Sequence, residues 1–317
     1  MSVSASTHEK TTGGPDGPNS RFNGLKAVSR CRRPTVSTTR ANASPDQIVV
    51  SDALKIYGGS GSSAQVTALS HVDLTVDRGQ FVSIIGPSGC GKSTLLRLIA
   101  GLETADSGDV SVFGADPDQA CAAKMIGFVP QVPALLPWLS VVGNVTLPSK
   151  VNRRADALRR TLPGHVHRDP ADPRALLAKI GLGDALDRLP HQLSGGMQQR
   201  VAIARAFAIQ ADVLLMDEPF SALDEFTREA IQLQLLELWE QMRTTVVFVT
   251  HSVSEAVVLS DRVVVMSARP GRIEAVVDID LPRPRRQGLL ESAAMHEYED
   301  LIRGKLQTAW ASGPVAR

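Results

Sequence analysis

Residues 86–94 read Gly-Pro-Ser-Gly-Cys-Gly-Lys-Ser-Thr, and this stretch decides the fold. Gly86, Gly91, Lys92 and Ser93 hold the fixed positions of the pattern Gly, any four residues, Gly-Lys-Ser. The flanks supply the required context. Phe81-Val82-Ser83-Ile84-Ile85 predicts a strand entering the loop, and Leu95, Leu96, Leu98 and Ile99 leave it at helical spacing. Glycines let backbone N–H groups turn inward on phosphates without interference from a Cβ. A helix beginning near Lys92 points the positive end of its dipole at the same anion. The whole loop, Gly86, Pro87, Ser88, Gly89, Cys90, Gly91, Lys92, Ser93 and Thr94, is therefore the expected cradle for a nucleoside triphosphate. Lys92 is placed to reach the β- and γ-phosphates, and the Ser93 hydroxyl suits Mg²⁺.

A phosphate loop does not by itself separate a kinase, a GTPase, a helicase and a transport ATPase. The second half of the chain adds chemistry. Val213 to Met216 is a continuous apolar stretch, the pattern of a parallel strand buried on both faces. Asp217 ends it at the carboxyl edge, where open α/β sheets bind ligands and where a carboxylate suits Mg²⁺. Glu218 follows, placed to orient an attacking water and accept its proton. Leu193-Ser194-Gly195-Gly196-Met197-Gln198-Gln199-Arg200 predicts a second anion-binding helix start, with Ser194 as cap and Val201, Ile203, Ala204 and Phe207 on an apolar face. His251 follows the apolar strand Thr245 to Val249 and precedes Ser252-Val253-Ser254-Glu255, a capping-box pattern.

In this order and spacing, together with Ser221-Ala222-Leu223-Asp224, the motifs from about residue 48 to about residue 285 closely resemble those of the ATP-binding cassette (ABC) ATPases. The resemblance implies an α/β phosphate-loop NTPase with a RecA-like core, an N-terminal antiparallel β-subdomain and a helical signature subdomain at about 133–200. It implies ATP and Mg²⁺ as cofactors, with Lys92, Glu218 and His251 catalytic and Ser93, Gln131 and Asp217 at the metal. Ser194, Gly195 and Gly196 would bind the γ-phosphate held by the other subunit of a head-to-tail dimer, and Asp224 would couple the two sites. Tyr57 would stack on adenine, although Gly58 to Ser63 leaves its spacing open. Met197 stands where the commonest family pattern has Gln, so no polar role is expected of that side chain.

The same resemblance narrows to the importers of nitrate, sulfonates, taurine or bicarbonate, through Asp261 to Ser267, Arg269-Pro270-Gly271-Arg272-Ile273 and Leu281-Pro282-Arg283-Pro284-Arg285. It implies a homodimer or paired cassette on the cytoplasmic face of the cell membrane. A permease would be gripped near Gln131 to Ser140, where Leu135-Leu136-Pro137-Trp138 supplies an apolar anchor. An extracytoplasmic solute-binding protein would act indirectly. Residues 286–317 are too few for an extra regulatory β-barrel. The alternative is a soluble regulatory ABC ATPase with no permease; a small-molecule kinase leaves the signature unexplained.

Composition agrees. The 317 residues are 43% hydrophobic with a net charge of +1, which gives no global electrostatic case for nucleic acid. No stretch approaches the ~20 apolar residues that span a bilayer. Cys31, Cys90 and Cys121 form no disulfide framework, an expectation of a reducing compartment. His165 and His167 sit in a Pro-rich segment without supporting ligands. Residues 1–46 read as a disordered extension, with a transit peptide as the lesser reading; 47–285 as the ATP-binding domain; and 286–317 as a tail forming one amphipathic helix on Tyr298, Leu301, Ile302 and Leu306. The segment Lys150 to Pro173 reads as a solvated helix and loop. Early strands are expected near Ile48 to Tyr57, Val72 to Val76 and Phe81 to Ile85.

Overall fold

The computed structural model describes residues 44–58, 65–166, 171–285, 288 and 292–311. Residues 1–43 of the expected extension, the 59–64 part of the Gly/Ser-rich run, and His167 lie outside the described residues. In chain order the elements are β1 (Gln47–Tyr57), β2 (Val66–Asp77), β3 (Phe81–Ile85), α1 (Lys92–Ile99), β4 (Ser107–Val112), α2 (Pro117–Ala122), β5 (Ile126–Val129), α3 (Val141–Lys150) and α4 (Ala155–Arg159). They continue with α5 (Pro173–Lys179), α6 (Gly195–Ala208), β6 (Val213–Asp217), α7 (Glu225–Met242), β7 (Thr245–Thr250), α8 (Val253–Leu259), β8 (Arg262–Met266), β9 (Ile273–Asp278) and α9 (Ala293–Ala311).

The apolar runs become the central sheet, ordered β5-β6-β7-β3-β8-β9. Its first five strands are parallel, and β9 closes the edge antiparallel to β8. Side-chain alternation splits each strand between two cores. Phe81 and Ile85 face the layer carrying α6, α7 and α8, whereas Val82 and Ile84 face α1 and the small sheet. That small sheet is antiparallel, ordered β2-β1-β4. Pairing sets Ile85 beside Thr250 and Val265, and Asp217 beside Val249. The carboxyl ends of β3, β6 and β7 thus finish side by side, which is where the site forms.

Strand β2 begins at Val66 rather than at Val72. The period-2 pattern is interrupted at His71, whose φ is 52°, and Leu69 and Ser70 are buried in succession. The irregular register between Ala53 and Ile56 of β1 absorbs the offset. Leu301, expected on the apolar face of α9, is instead 47% exposed; Met295, Ile302 and Ala309 are the buried apolar positions, with Tyr298 and Leu306 packed beside them. The Lys150 to Pro173 segment is also less solvated than its charge suggests. Ala155 is buried, and Arg159 donates to the fully buried Asp212 at 2.8 Å, which Arg78 meets from the other side at 3.3 Å.

The Leu281 to Arg285 run fastens the structure behind the site. Arg285 is 2% exposed and donates to the carbonyls of Val257, Val258 and Ser260 at 2.6–3.1 Å, closing the C-terminal end of α8. Burial, then neighbouring Arg283, pushes its guanidinium down to about 10, still charged at neutral pH. Arg283 binds Asp261 at 2.7 Å and lies 4.2 Å from the centre of the Trp239 ring.

Candidate functional site

The phosphate loop leaves β3 and turns into α1 at Gly91, whose φ of 95° is a left-handed geometry that suits glycine. Lys92 is buried, and its Nζ donates to the carbonyls of Gly86 at 2.8 Å and Pro87 at 3.1 Å, arching the loop over its own lysine. One residue on, Ser93 Oγ donates to Asp217 Oδ1 at 2.9 Å. A hydroxyl and a carboxylate are the hard oxygen donors that Mg²⁺ takes, so these two residues fit that ion. Burial pushes the Asp217 carboxyl up, and the Ser93 hydroxyl pulls the other way.

Glu218 has a φ of 43°, uncommon for a residue with a Cβ and costly in backbone energy. Its N–H donates to Val249 O at 2.9 Å, continuing the β6–β7 pairing by one bond, and the positive φ then turns the chain out of the strand. The turn brings Glu218 Oε2 to 3.3 Å from His251 Nδ1. Phe220 anchors the following residues, its ring centre 5.6 Å from that of Phe248 in the core. Ser221 Oγ donates to Glu218 O at 3.0 Å and accepts from Gln131 Nε2 at 3.3 Å, which carries a relay from the end of β5 to the acidic pair. Asp224 caps α7 by accepting from Thr227 N at 3.0 Å.

Thr250 and Glu255 hold the His251 turn in a way the capping-box pattern does not convey. Ser252 Oγ accepts from Glu255 N, as the pattern requires. The Glu255 carboxylate, however, accepts from Thr250 Oγ1 and lies 3.7 Å from Arg228 Nε, while Ser252 N donates to Thr250 Oγ1 instead. Burial pushes the Glu255 carboxyl up, opposed by the Thr250 bond and by Arg228. Because Arg228 also donates to Leu223 O at 2.8 Å, one buried network ties the His251 turn to the loop before α7.

A cleft of about 440 Å³ runs along the phosphate loop from Ser88 to Thr94, with Glu218 on one wall and Val66, Thr67 and Ala68 on another. Tyr57 pairs with Val66 in the β1–β2 ladder, and its hydroxyl lies 3.4 Å from Thr94 Oγ1, so it stands beside the Thr94 end of the cleft. Its hydroxyl also donates to Glu103, and the ring is 38% exposed. Ser194 caps α6 by accepting from Met197 N, and Gly196 packs against Thr227 of α7. Ser194, Gly195 and Gly196 do not line the cleft of their own chain. The Met197 side chain packs on the core, in keeping with an apolar role. Arg269, which the sequence marks only as the first residue of the Arg269-Pro270-Gly271-Arg272-Ile273 run and not as a site residue, also lines the cleft, arriving there from the turn between β8 and β9.

Phosphate loop, strand-end acids and the sheet's carboxyl edge define a phosphate-loop NTPase. Comparison with known proteins gives the family. Residues 69–221 match the family model described as ABC transporter. An uncharacterized ABC transporter ATP-binding protein of Methanocaldococcus jannaschii is 44% identical over 245 residues, 77% of this chain and 86% of that protein. The aliphatic sulfonates import ATP-binding protein of Xanthomonas axonopodis pv. citri is 44% identical over 78% of this chain and 94% of that one. A bicarbonate transport ATP-binding protein of Synechocystis sp. is 46% identical over 69% of this chain, which spans 32% of the longer relative. Among solved structures, a dimeric ATP-binding cassette in a post-hydrolysis state bound to ADP and phosphate is similar with a TM-score of 0.60 at 33% identity, covering 74% of this chain and all of that one. The chain belongs to the ABC transporter ATP-binding family, and it is an ATPase.

Proposed function

We propose that this chain is the ATP-hydrolysing subunit of an importer for a small solute, of the nitrate, sulfonate, taurine or bicarbonate kind, acting in pairs beneath a membrane permease. Lys92 and the N–H groups of the phosphate loop hold the β- and γ-phosphates. Ser93 and Asp217, with Gln131, hold Mg²⁺, which supplies charge neutralisation and polarises the terminal phosphate when bound. Glu218 orients the attacking water and takes its proton, and His251, already beside that carboxylate, contacts the γ-phosphate. Ser194, Gly195 and Gly196 lie apart from their own cleft, which supports their serving the cleft of a second copy. Asp224, on the loop tied to the His251 turn through Arg228 and Glu255, then couples the two sites.

One observation carries the permease reading. Val132, next to Gln131, is 72% exposed and Trp138, further along the same segment, 71%, and Gln131 is two hydrogen bonds from the Glu218 backbone through Ser221. Exposed apolar surface with a tryptophan anchor suits a protein partner, and here it sits at the outer end of a relay into the acidic pair. Binding there would be felt at Glu218, as coupling to transport requires. The names of the sulfonate and bicarbonate relatives support the solute class. No helix among the described residues is long and apolar enough to cross a membrane, so on this reading the spanning part belongs to a partner and this chain sits on the cytoplasmic face of the cell membrane. The test is detergent purification of the tagged protein from its native membranes with mass spectrometry of the companions. A polytopic permease supports the reading; soluble partners alone, with ATPase activity intact, would move the protein to a regulatory class.

A further inference from the structure

Arg269 lies on the rim of the nucleotide cleft, is exposed, and makes no hydrogen bond or ion pair with the described residues. Its guanidinium nevertheless has a defined place. An ideal Cβ built on Gly89 would come within 3.3 Å of Arg269 Nη2 and 3.8 Å of its Nε, so the guanidinium covers the side of the phosphate loop that Gly89 leaves bare. The segment carrying it is fixed at both walls of the cleft. Gly271 N donates to Ala68 O and Gly271 O accepts from Ser70 N, each at 3.0 Å, which joins the turn to β2. On the other side Gly271 packs so closely on the phosphate loop that a Cβ there would fall 2.0 Å from Cys90 O. Ser267 N donates to Arg272 O at 2.9 Å and closes the turn behind. A side chain with no hydrogen bond or ion pair among the described residues thus projects from a platform that is itself tied to the loop it overlooks.

The electrostatics call for such a group. A triphosphate carries more negative charge than one ammonium balances, and Lys92 approaches from beneath the loop. A guanidinium offers planar, paired donors matched to phosphate oxygens. We propose that Arg269 is a second phosphate-binding cation of the site, donating to the nucleotide's phosphate chain where it passes Ser88 and Gly89, on the side away from Lys92. The proposal rests on the assignment of Lys92 and its loop as the ATP site, and the test separates the two.

Isothermal titration with ATP and with ADP, in the presence of Mg²⁺, is carried out on the wild type and on Arg269→Ala, Arg269→Lys and Lys92→Ala. Arg269→Ala should weaken binding by about tenfold, the scale of a charge-assisted hydrogen bond lost at a partly exposed site. Arg269→Lys should recover only part of it, because an ammonium lacks the paired donors. Equal weakening of ATP and ADP assigns the contact to the β-phosphate, and selective weakening of ATP to the γ-phosphate. Melting without nucleotide should be unchanged in Arg269→Ala, since no bond among the described residues is lost. If Lys92→Ala abolishes binding while Arg269→Ala stays within twofold of the wild type, the Arg269 proposal is overturned and the ATP site stands. If Lys92→Ala binds as well as the wild type, the site assignment fails and the proposal with it.

Discussion

Ser93 Oγ donates to Asp217 Oδ1 at 2.9 Å although β7 lies between β6, which Asp217 ends, and β3, which leads into the loop before Ser93. The bond spans the gap because β3, β7 and β6 end level with one another, and because α1 starts one residue before Ser93. It holds the two proposed metal donors together and offsets part of the cost of the Asp217 carboxylate, whose pKa burial raises.

Asp217→Asn should therefore stabilise the protein while abolishing Mg²⁺-dependent ATP hydrolysis. The sign follows from linkage. A carboxyl whose folded pKa is raised favours its protonated form in the fold, so the wild type pays for ionisation as pH rises through that raised value. Below the ordinary carboxylate range both proteins carry a neutral group and should melt alike; towards neutral pH the variant should melt higher. Thermal melts across pH, without nucleotide, check this. A variant that melts lower at neutral pH would mean the Ser93 bond outweighs burial.

Tyr57 stands beside Thr94 with its ring partly exposed. If it stacks on adenine, Tyr57→Ala should weaken ATP binding by about tenfold, within the ~1–3 kcal/mol range of base–aromatic stacking. Tyr57→Phe keeps the ring and loses only the hydroxyl bonds to Thr94 and Glu103, so it should bind within about threefold of the wild type. Nucleotide titration distinguishes the two, and equal loss in both variants would assign the role to the hydroxyl instead.

Arg285→Ala removes the donor that closes the C-terminal end of α8 and leaves the carbonyls of Val257, Val258 and Ser260 without it. The expected cost is about 3 kcal/mol, since unsatisfied buried polar groups cost roughly 1–3 kcal/mol each and water entering the gap recovers part. Urea unfolding measures it. A loss below about 1 kcal/mol would show that α8 is held by packing alone.

Much of this was legible in the residues themselves. The glycine pattern, the lysine and the strand before it predict the shape of the loop because its backbone geometry is encoded locally. Asp217 and Glu218 were legible for a similar reason: an all-apolar run followed by two acids marks the open end of a buried parallel strand. What stayed hidden depends on contacts between distant segments. Arg269 enters the cleft from the β8–β9 turn, where Gly271 is clamped against Ala68 and Cys90; the Arg269 to Ile273 run is visible in the chain, but its meeting with the phosphate loop is not. The Glu255 carboxylate turns to Thr250 and Arg228 rather than to the cap, a choice made by the partner helix α7. Leu301 faces outward because α9 packs on Met295, Ile302 and Ala309, a seven-residue repeat that excludes it. Arg159 looked solvated because its partner, Asp212, lies 53 residues away.

The central claim is that Glu218 is the base of a site completed by a second copy, and Glu218→Gln tests it most directly. Phosphate release and sedimentation are measured on this variant with ATP and Mg²⁺. Hydrolysis should fall by about 10²–10⁴-fold, the usual cost of losing a general base, while ATP stays bound and the protein sediments at twice its monomer mass. Hydrolysis at the wild-type rate, or bound ATP on a protein that stays monomeric, would contradict the account.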